Sequence, residues 1–362
     1  MSARVSTEAS SPTLRQWEGV DLPEGLLETQ ARDLHALLGG PTLIHLPGDR
    51  HPALFVCVLM HGNETVGWEA IRALLVERRR RLGRVQPPRA LSLFLGNLAA
   101  AEQGLRHLPG QPDYNRVWPG SELPETPEHA LMAEVVEIMA GRGVFASIDL
   151  HNNTGCNPHY ACLDRLDPSF LHLATLFSRT VVYFTSPKGV QCQAMSRLCP
   201  AVTLECGKVG ERHGVEHAWD YLDACLHLSA LPTHQVAAHD LDLFHTVARV
   251  RVPDGVGFGF DPSQELPDGA IRFAPDLDRL NFRELPAGTA LGWVHGAAAR
   301  LEVQDGDGRD QAARYLAVEE GELRLRVPVM PSMLTRDALV IRQDCLGYLM
   351  ERYHLDRFAT RS

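Results

Sequence analysis

The residues best placed to do chemistry in this chain are His61 and Glu64, in the run His61-Gly62-Asn63-Glu64, and His151, in Asp149-Leu150-His151. Each group follows an apolar run. Ala53 to Met60 reads as a buried strand, so His61 and Glu64 fall at its carboxyl end; Phe145 to Leu150 reads as a second strand, ended by His151. Two neutral imidazoles and one hard carboxylate oxygen suit Zn2+ and leave a fourth position for water. On a helix surface His-x-x-Glu would be unremarkable, because residues i and i+3 share a face. Here the pair falls in a strand-to-helix turn, where Gly62 is expected to permit a sharp bend. Asp149 is a candidate acceptor for orienting an imidazole. Its side chain should leave the sheet on the face opposite His151, so such a contact requires irregular backbone.

Glu205 stands near the end of the otherwise apolar run Ala201 to Gly207. A carboxylate there is costly unless it is paired or functional. Beside zinc it could take a proton from bound water and return it to a leaving amine; the structural alternative is a buried salt bridge. Arg106, and then Asn115 and Arg116 in Asp113-Tyr114-Asn115-Arg116, offer guanidinium and amide donors. Such donors grip a carboxylate or stabilise an oxyanion, unless they are solvated loop residues. Cys156 and Cys206 are candidate nucleophiles only in principle, since the neighbouring residues explain the chemistry better.

The elements that must position these residues are legible as an alternation from about residue 41 to 231. Strands are expected at 42–46, 54–60, 91–96, 146–150, 181–185 and 202–206, and helices at 65–82, 128–142, 168–178 and 216–228. The pattern implies an α/β fold, a mostly parallel twisted sheet with flanking helices. In open α/β sheets, sites form outside the carboxyl ends of the strands. His61, Glu64, Asn97 and His151 all land there. After about Leu231 short alternating runs take over, at 246–252, 323–329 and 338–343, separated by turn signals. Residues 1–18 are expected to be a disordered tail, 19–233 the α/β domain and 234–362 a β-rich carboxy-terminal domain. The run Asp305-Gly306-Asp307-Gly308 does not fit EF-hand spacing and reads as a hairpin loop.

Composition narrows the function classes. A formal net charge of −10 argues against nucleic acid as a partner. No apolar run reaches the roughly 18 residues needed to span a bilayer, so no membrane partner is expected. The polar start, Met1 to Pro12, has no apolar core of a secretory signal. Eight cysteines without CxxC spacing then read as reduced thiols in a cytoplasm. The basic cluster Arg78 to Arg81 closes an expected helix, where positive charge opposes the macrodipole.

Taken in order, His61-Gly62-Asn63-Glu64, Asp113-Tyr114-Asn115-Arg116, Asp149-Leu150-His151 and the Glu205 strand resemble the succinylglutamate desuccinylase/aspartoacylase family, itself similar to the zinc carboxypeptidases. The resemblance covers roughly residues 41 to 230. It extends more loosely to Leu280 through Gly288, which looks like that family's β-domain. It implies one zinc per chain on His61, Glu64 and His151, with Glu205 as general base and acid. It further implies that Arg106 polarises the scissile carbonyl and that Asn115 and Arg116 bind the substrate carboxylate. The expectation is a zinc-dependent amidohydrolase acting on a small N-acyl amino acid, a deacylase, with a homo-oligomer possible. The rivals are a carboxypeptidase-like zinc peptidase and a metal-binding protein without turnover.

Overall fold

The computed structural model describes residues 12–296 and 299–355. In chain order the strands are β1 (Arg15–Glu18), β2 (Thr42–Leu46), β3 (Arg50–Val58), β4 (Arg89–Leu95), β5 (Val144–Asn153), β6 (Tyr160–Leu163), β7 (Thr180–Tyr183), β8 (Ala201–Lys208) and β9 (Asp242–Arg251). They continue as β10 (Phe258–Gly259), β11 (Ile271–Phe273), β12 (Ala290–Val294), β13 (Glu302–Gln304), β14 (Leu316–Glu319), β15 (Glu322–Leu325), β16 (Met330–Ser332) and β17 (Gly347–Arg352). The helices are α1 (Leu34–Leu38), α2 (Val66–Leu82), α3 (Leu98–Gln103), α4 (Pro127–Arg142), α5 (Pro168–Thr175), α6 (Gln191–Met195), α7 (Arg212–His227), α8 (Ala312–Tyr315) and α9 (Ala338–Gln343). The expected α/β fold, a large sheet with flanking helices, holds, and a second, smaller sheet accompanies it.

Contacts group the chain into two compact units. The first comprises Met1–Asp149, Lys188–Ala201 and Leu222–Leu228. Its strands run in the order β1-β2-β4-β3-β5. Neighbours are parallel at β1–β2, β3–β4 and β3–β5, and antiparallel at β2–β4. Every residue of β2 and β4 is buried, as is β3 from Ala53 onward, which is why these strands read as predominantly apolar runs. Helix α2 buries Val66, Ala70, Ile71, Leu74 and Leu75, the spacing of one helical face. Gly83 ends it in a left-handed conformation, its N–H bonded to the Arg79 carbonyl. The arginines of its last turn have local partners: Arg79 pairs with Glu28, Arg80 and Arg81 with Glu77, and Arg78 donates to the Gln86 carbonyl.

The second unit comprises Leu150–Pro187, Val202–Tyr221 and Ser229–Ser362. From the end of β5 its strands follow the order β8-β6-β7-β9-β17-β16, with β13 paired to β9. A separate five-stranded sheet, β10-β11-β12-β15-β14, lies wholly within residues 258–325. Its core gathers Ile271, Phe273, Leu291, Leu323 and Leu325. The Asp305 to Gly308 run makes the expected tight loop, with Asp305 Oδ1 accepting from the Asp307 and Arg309 amides.

Some local expectations fail. Residues 338–343 were expected as a strand and form α9, because Asp337 Oδ1 accepts from the amides of Leu339 and Val340 and so nucleates a helix. The expected tail lies outside the described residues as far as residue 11, whereas Arg15–Glu18 is an edge strand. All four of its residues are exposed, so it is held by its ladder with β2 rather than by burial, and no apolar pattern announces it. Strand β6 was not foreseen either. Only four residues long, it pairs antiparallel with β8, Tyr160 opposite Glu205.

Candidate metal centre

Strand β3 ends at Val58 and α2 begins at Val66, and the turn between them carries His61 and Glu64. Its backbone is tightly constrained. Leu59 has a left-handed φ of 57°, an unusual conformation for a bulky residue and one that surrounding structure must hold in place. Gly62 is needed for close packing rather than for a bend. A Cβ there would lie 2.2 Å from the Ala101 nitrogen and 2.7 Å from the Leu105 carbonyl oxygen. The Gly62 N–H donates to the Arg106 carbonyl at 3.1 Å, which fastens the turn to the segment that supplies Arg106.

His61, Glu64 and His151 are all buried, and each offers a ligand atom within 4.8 Å of the others. No other group of three such residues is so gathered among the described residues. Around His61 the geometry is specific. Its Nδ1 lies 2.9 Å from Glu64 Oε1, and its Nε2 lies 3.0 Å from Asp113 Oδ1. Nδ1 is therefore the nitrogen that faces the second ligand, while Nε2–H donates to a carboxylate. That arrangement fixes the ring of a metal-ligating histidine and raises its basicity. Burial and the Arg106 charge push the His61 pKa down, but Asp113 and Glu64 outweigh them and hold it above the usual value. The pocket at Nδ1 thus favours positive charge, and the donor set fits a borderline divalent ion such as zinc.

Asp113 is the hub of this network and was not singled out from sequence. Besides His61 it accepts from Arg106 Nε at 3.1 Å and Nη2 at 2.9 Å, and from the Asn115 amide at 2.7 Å. Burial pushes its pKa up, yet His61, Arg106 and Arg116 hold the carboxyl well below its usual range. The signal that could have found it is its position at the start of the 3-10 turn Tyr114–Arg116, where Asp is a preferred cap. For His61 the orienting carboxylate is Asp113. Asp149 Oδ2 accepts from Asn115 Nδ2 at 3.1 Å.

The other expected residues are placed as follows. Arg106 is buried, with Nη1 3.5 Å from Glu64 Oε1. Asn115 is engaged at both ends of its amide, since its Oδ1 also accepts from the Gln191 N–H at 2.9 Å. Arg116 Nη1 donates to the Asn115 carbonyl at 2.8 Å and remains partly exposed. Asn97 caps α3, accepting from Ala100 N, and its Nδ2 donates to Gln111, so it is part of the scaffold. Glu205 is buried in β8, the strand beside β5. Asn152, next to His151, donates to the Gly207 carbonyl at 3.0 Å. Opposite Glu205, Tyr160 has a buried hydroxyl with no hydrogen-bond partner; burial first, and then the Glu205 charge, pushes its pKa well up.

What the fold and this group define is an α/β domain with a buried site fit for a divalent metal. Residues 50–220 match the sequence model described as Succinylglutamate desuccinylase/Aspartoacylase catalytic domain, and through this stretch the chain is similar to that family of deacylases. A comparison with curated proteins finds no match. The fold is similar to that of the succinylglutamate desuccinylase from Chromobacterium violaceum, at 21% identity and a TM-score of 0.52 over 84% of this chain and 85% of that one. It is similar also to the succinylglutamate desuccinylase from Vibrio cholerae, at 14% identity and a TM-score of 0.54 over 87% of each chain. Murine aminoacylase 3 is similar at 17% identity and a TM-score of 0.50, over 84% of this chain and 97% of that one. At such identities the likeness is one of fold.

Proposed function

We propose that this chain is a zinc-dependent deacylase that hydrolyses the amide bond of a small N-acyl amino acid. The observation that carries the reading is the buried His61, Glu64 and His151 group inside a stretch that matches a deacylase family model. Zinc held by these three residues would supply Lewis acidity, lowering the pKa of water towards about 7 and polarising a carbonyl. The chain's own residues do the rest. Glu205 accepts the proton of the attacking water and delivers it to the leaving nitrogen as the carbon–nitrogen bond breaks, giving a carboxylate and an amine. Arg106, held by Asp113 beside Glu64, supplies fixed positive charge for the developing oxyanion. Arg116 grips the carboxylate of the amino-acid half. Asn115, its amide engaged by Asp149 and Gln191, serves mainly to hold the turn that presents Arg116.

The test is a hydrolysis screen of N-acetyl, N-succinyl and N-formyl amino acids with zinc-loaded protein, each paired with the same compound carrying a carboxamide in place of the carboxylate. Turnover of at least one acid, with its carboxamide at least about tenfold slower, is expected from loss of a charge-assisted hydrogen bond. Equal rates on acid and carboxamide would remove the acylamino-acid reading, and cleavage of peptides alone would favour a peptidase.

A further inference from the structure

The second unit contains a cluster of imidazoles that the deacylase reading does not use. His159, in the loop between β5 and β6, stacks on His213 and His217 of α7, with ring centroids 5.1 and 5.0 Å away. With Glu211 and Phe177 these rings line an open cavity of about 440 Å³. His213 and His217 are four apart on one helix, the spacing that puts two ligands on a single face.

The donor atoms are suited to metal. His217 Nε2 lies 2.8 Å from the Phe177 carbonyl oxygen, which can only accept. The proton is therefore on Nε2, and Nδ1 presents a lone pair, with the backbone carbonyl fixing the ring as it does behind many metal ligands. His159 Nε2 is enclosed and has no hydrogen-bond partner. Glu211 Oε2 lies 3.7 Å from His213 Nε2. The space between Glu211 and His159 is kept open by Gly207, whose φ is +80° and whose missing Cβ would sit 2.9 Å from Glu211 Oε2 and 3.1 Å from His159 Nε2. Burial, then the neighbouring His217 and His213, push the His159 pKa down.

We propose that His159, His213 and His217, with Glu211, form a second metal site that takes one borderline divalent transition-metal ion of the zinc, nickel or copper class. Imidazole-rich sites select those ions over magnesium or calcium. His159 stacks on both helix rings, 16° and 26° from parallel, so ligation requires the His159 and His213 rings to turn towards the His217 ring that the Phe177 carbonyl holds. The His213 side chain is 67% exposed and His159 is half-buried, which leaves room for those turns.

The experiment uses tag-free, full-length protein carrying His61→Ala and Glu64→Ala, so that the first site is silenced and the outcome stands apart from the deacylase reading. Ni2+ is the probe, with bound metal counted by equilibrium dialysis and affinity read by calorimetry. One Ni2+ per chain is expected, with affinity falling at least about tenfold on adding His213→Ala, an exposed substitution that leaves the helix intact. Adding His159→Ala should weaken binding by a similar factor, with circular dichroism verifying the fold. No Ni2+ bound to the silenced protein, or equal affinity after His213→Ala, would overturn the proposal.

Discussion

Replacing Asp113 by asparagine tests the network around His61 most sharply, because the change preserves shape and removes only charge and one acceptor. Asp113 Oδ1 accepts from His61 Nε2 at 3.0 Å and from Asn115 N at 2.7 Å, while Oδ2 accepts from Arg106 Nε at 3.1 Å and Nη2 at 2.9 Å. An amide has one oxygen. Whichever way the substituted side chain is turned, its NH2 faces two donors and leaves both without an acceptor, at about 1–3 kcal/mol each. One escape is open: His61 can move its proton to Nδ1 so that Nε2 accepts from the new amide. Nδ1 is the nitrogen facing Glu64, so this escape blocks the ligand atom itself. The expected result is a metal affinity about 10- to 100-fold weaker, the range for losing the carboxylate behind a histidine ligand. That equals roughly 1.4–2.7 kcal/mol. Competition against a chromophoric chelator measures it, and denaturant unfolding in parallel separates metal loss from loss of fold. A zinc Kd within about threefold of wild type would refute the argument and reduce Asp113 to a loop cap.

Other outcomes follow from the same structure. Glu205→Gln should keep fold and metal and lose turnover by about 100-fold or more, as measured by kcat on a confirmed substrate. Arg116→Ala should lower kcat/KM on the acid substrate about 10- to 150-fold, from a lost charge-assisted bond of about 1.5–3 kcal/mol, and Arg116→Lys should not restore it. Gly62→Ala should destabilise by about 3 kcal/mol or more in urea unfolding, since its Cβ meets backbone atoms at 2.2 Å that cannot move aside. His45, buried across from Ser92, has its pKa pushed down to about 4 by burial. The unfolded chain therefore binds the proton first, and stability should fall as pH drops from about 6.5 towards 4. Unfolding measured over that range in His45→Gln should show a shallower fall.

His61 and Glu64 were legible because the unbroken apolar run from Ala53 to Val58 stops just before them, whereas β5 continues past His151 to Asn153. Strand β2 has the expected bounds, although it carries the buried His45. Asp113 escaped notice because its value lies in four contacts made through folding, one of them to a histidine 52 positions away. Gly62 was read as a bend, but its requirement comes from the backbone of residues 100–105, which no local pattern reveals. Residues 338–343 alternate like a strand, and a single capping aspartate decides against it. Helix α7 begins at Arg212 rather than at the expected Glu216, which is what puts His213 and His217 on one helix.

The central claim is that His61, Glu64 and His151 hold the ion on which amide hydrolysis depends. Its most direct test is turnover of an N-acyl amino acid as a function of zinc content, with metal counted per chain after chelator stripping and stepwise reloading. The account predicts activity that rises in proportion to zinc and saturates at about one equivalent, and a His151→Ala variant that neither retains the ion nor recovers turnover. Full activity in the stripped protein, or one tightly bound zinc in His151→Ala, would contradict it.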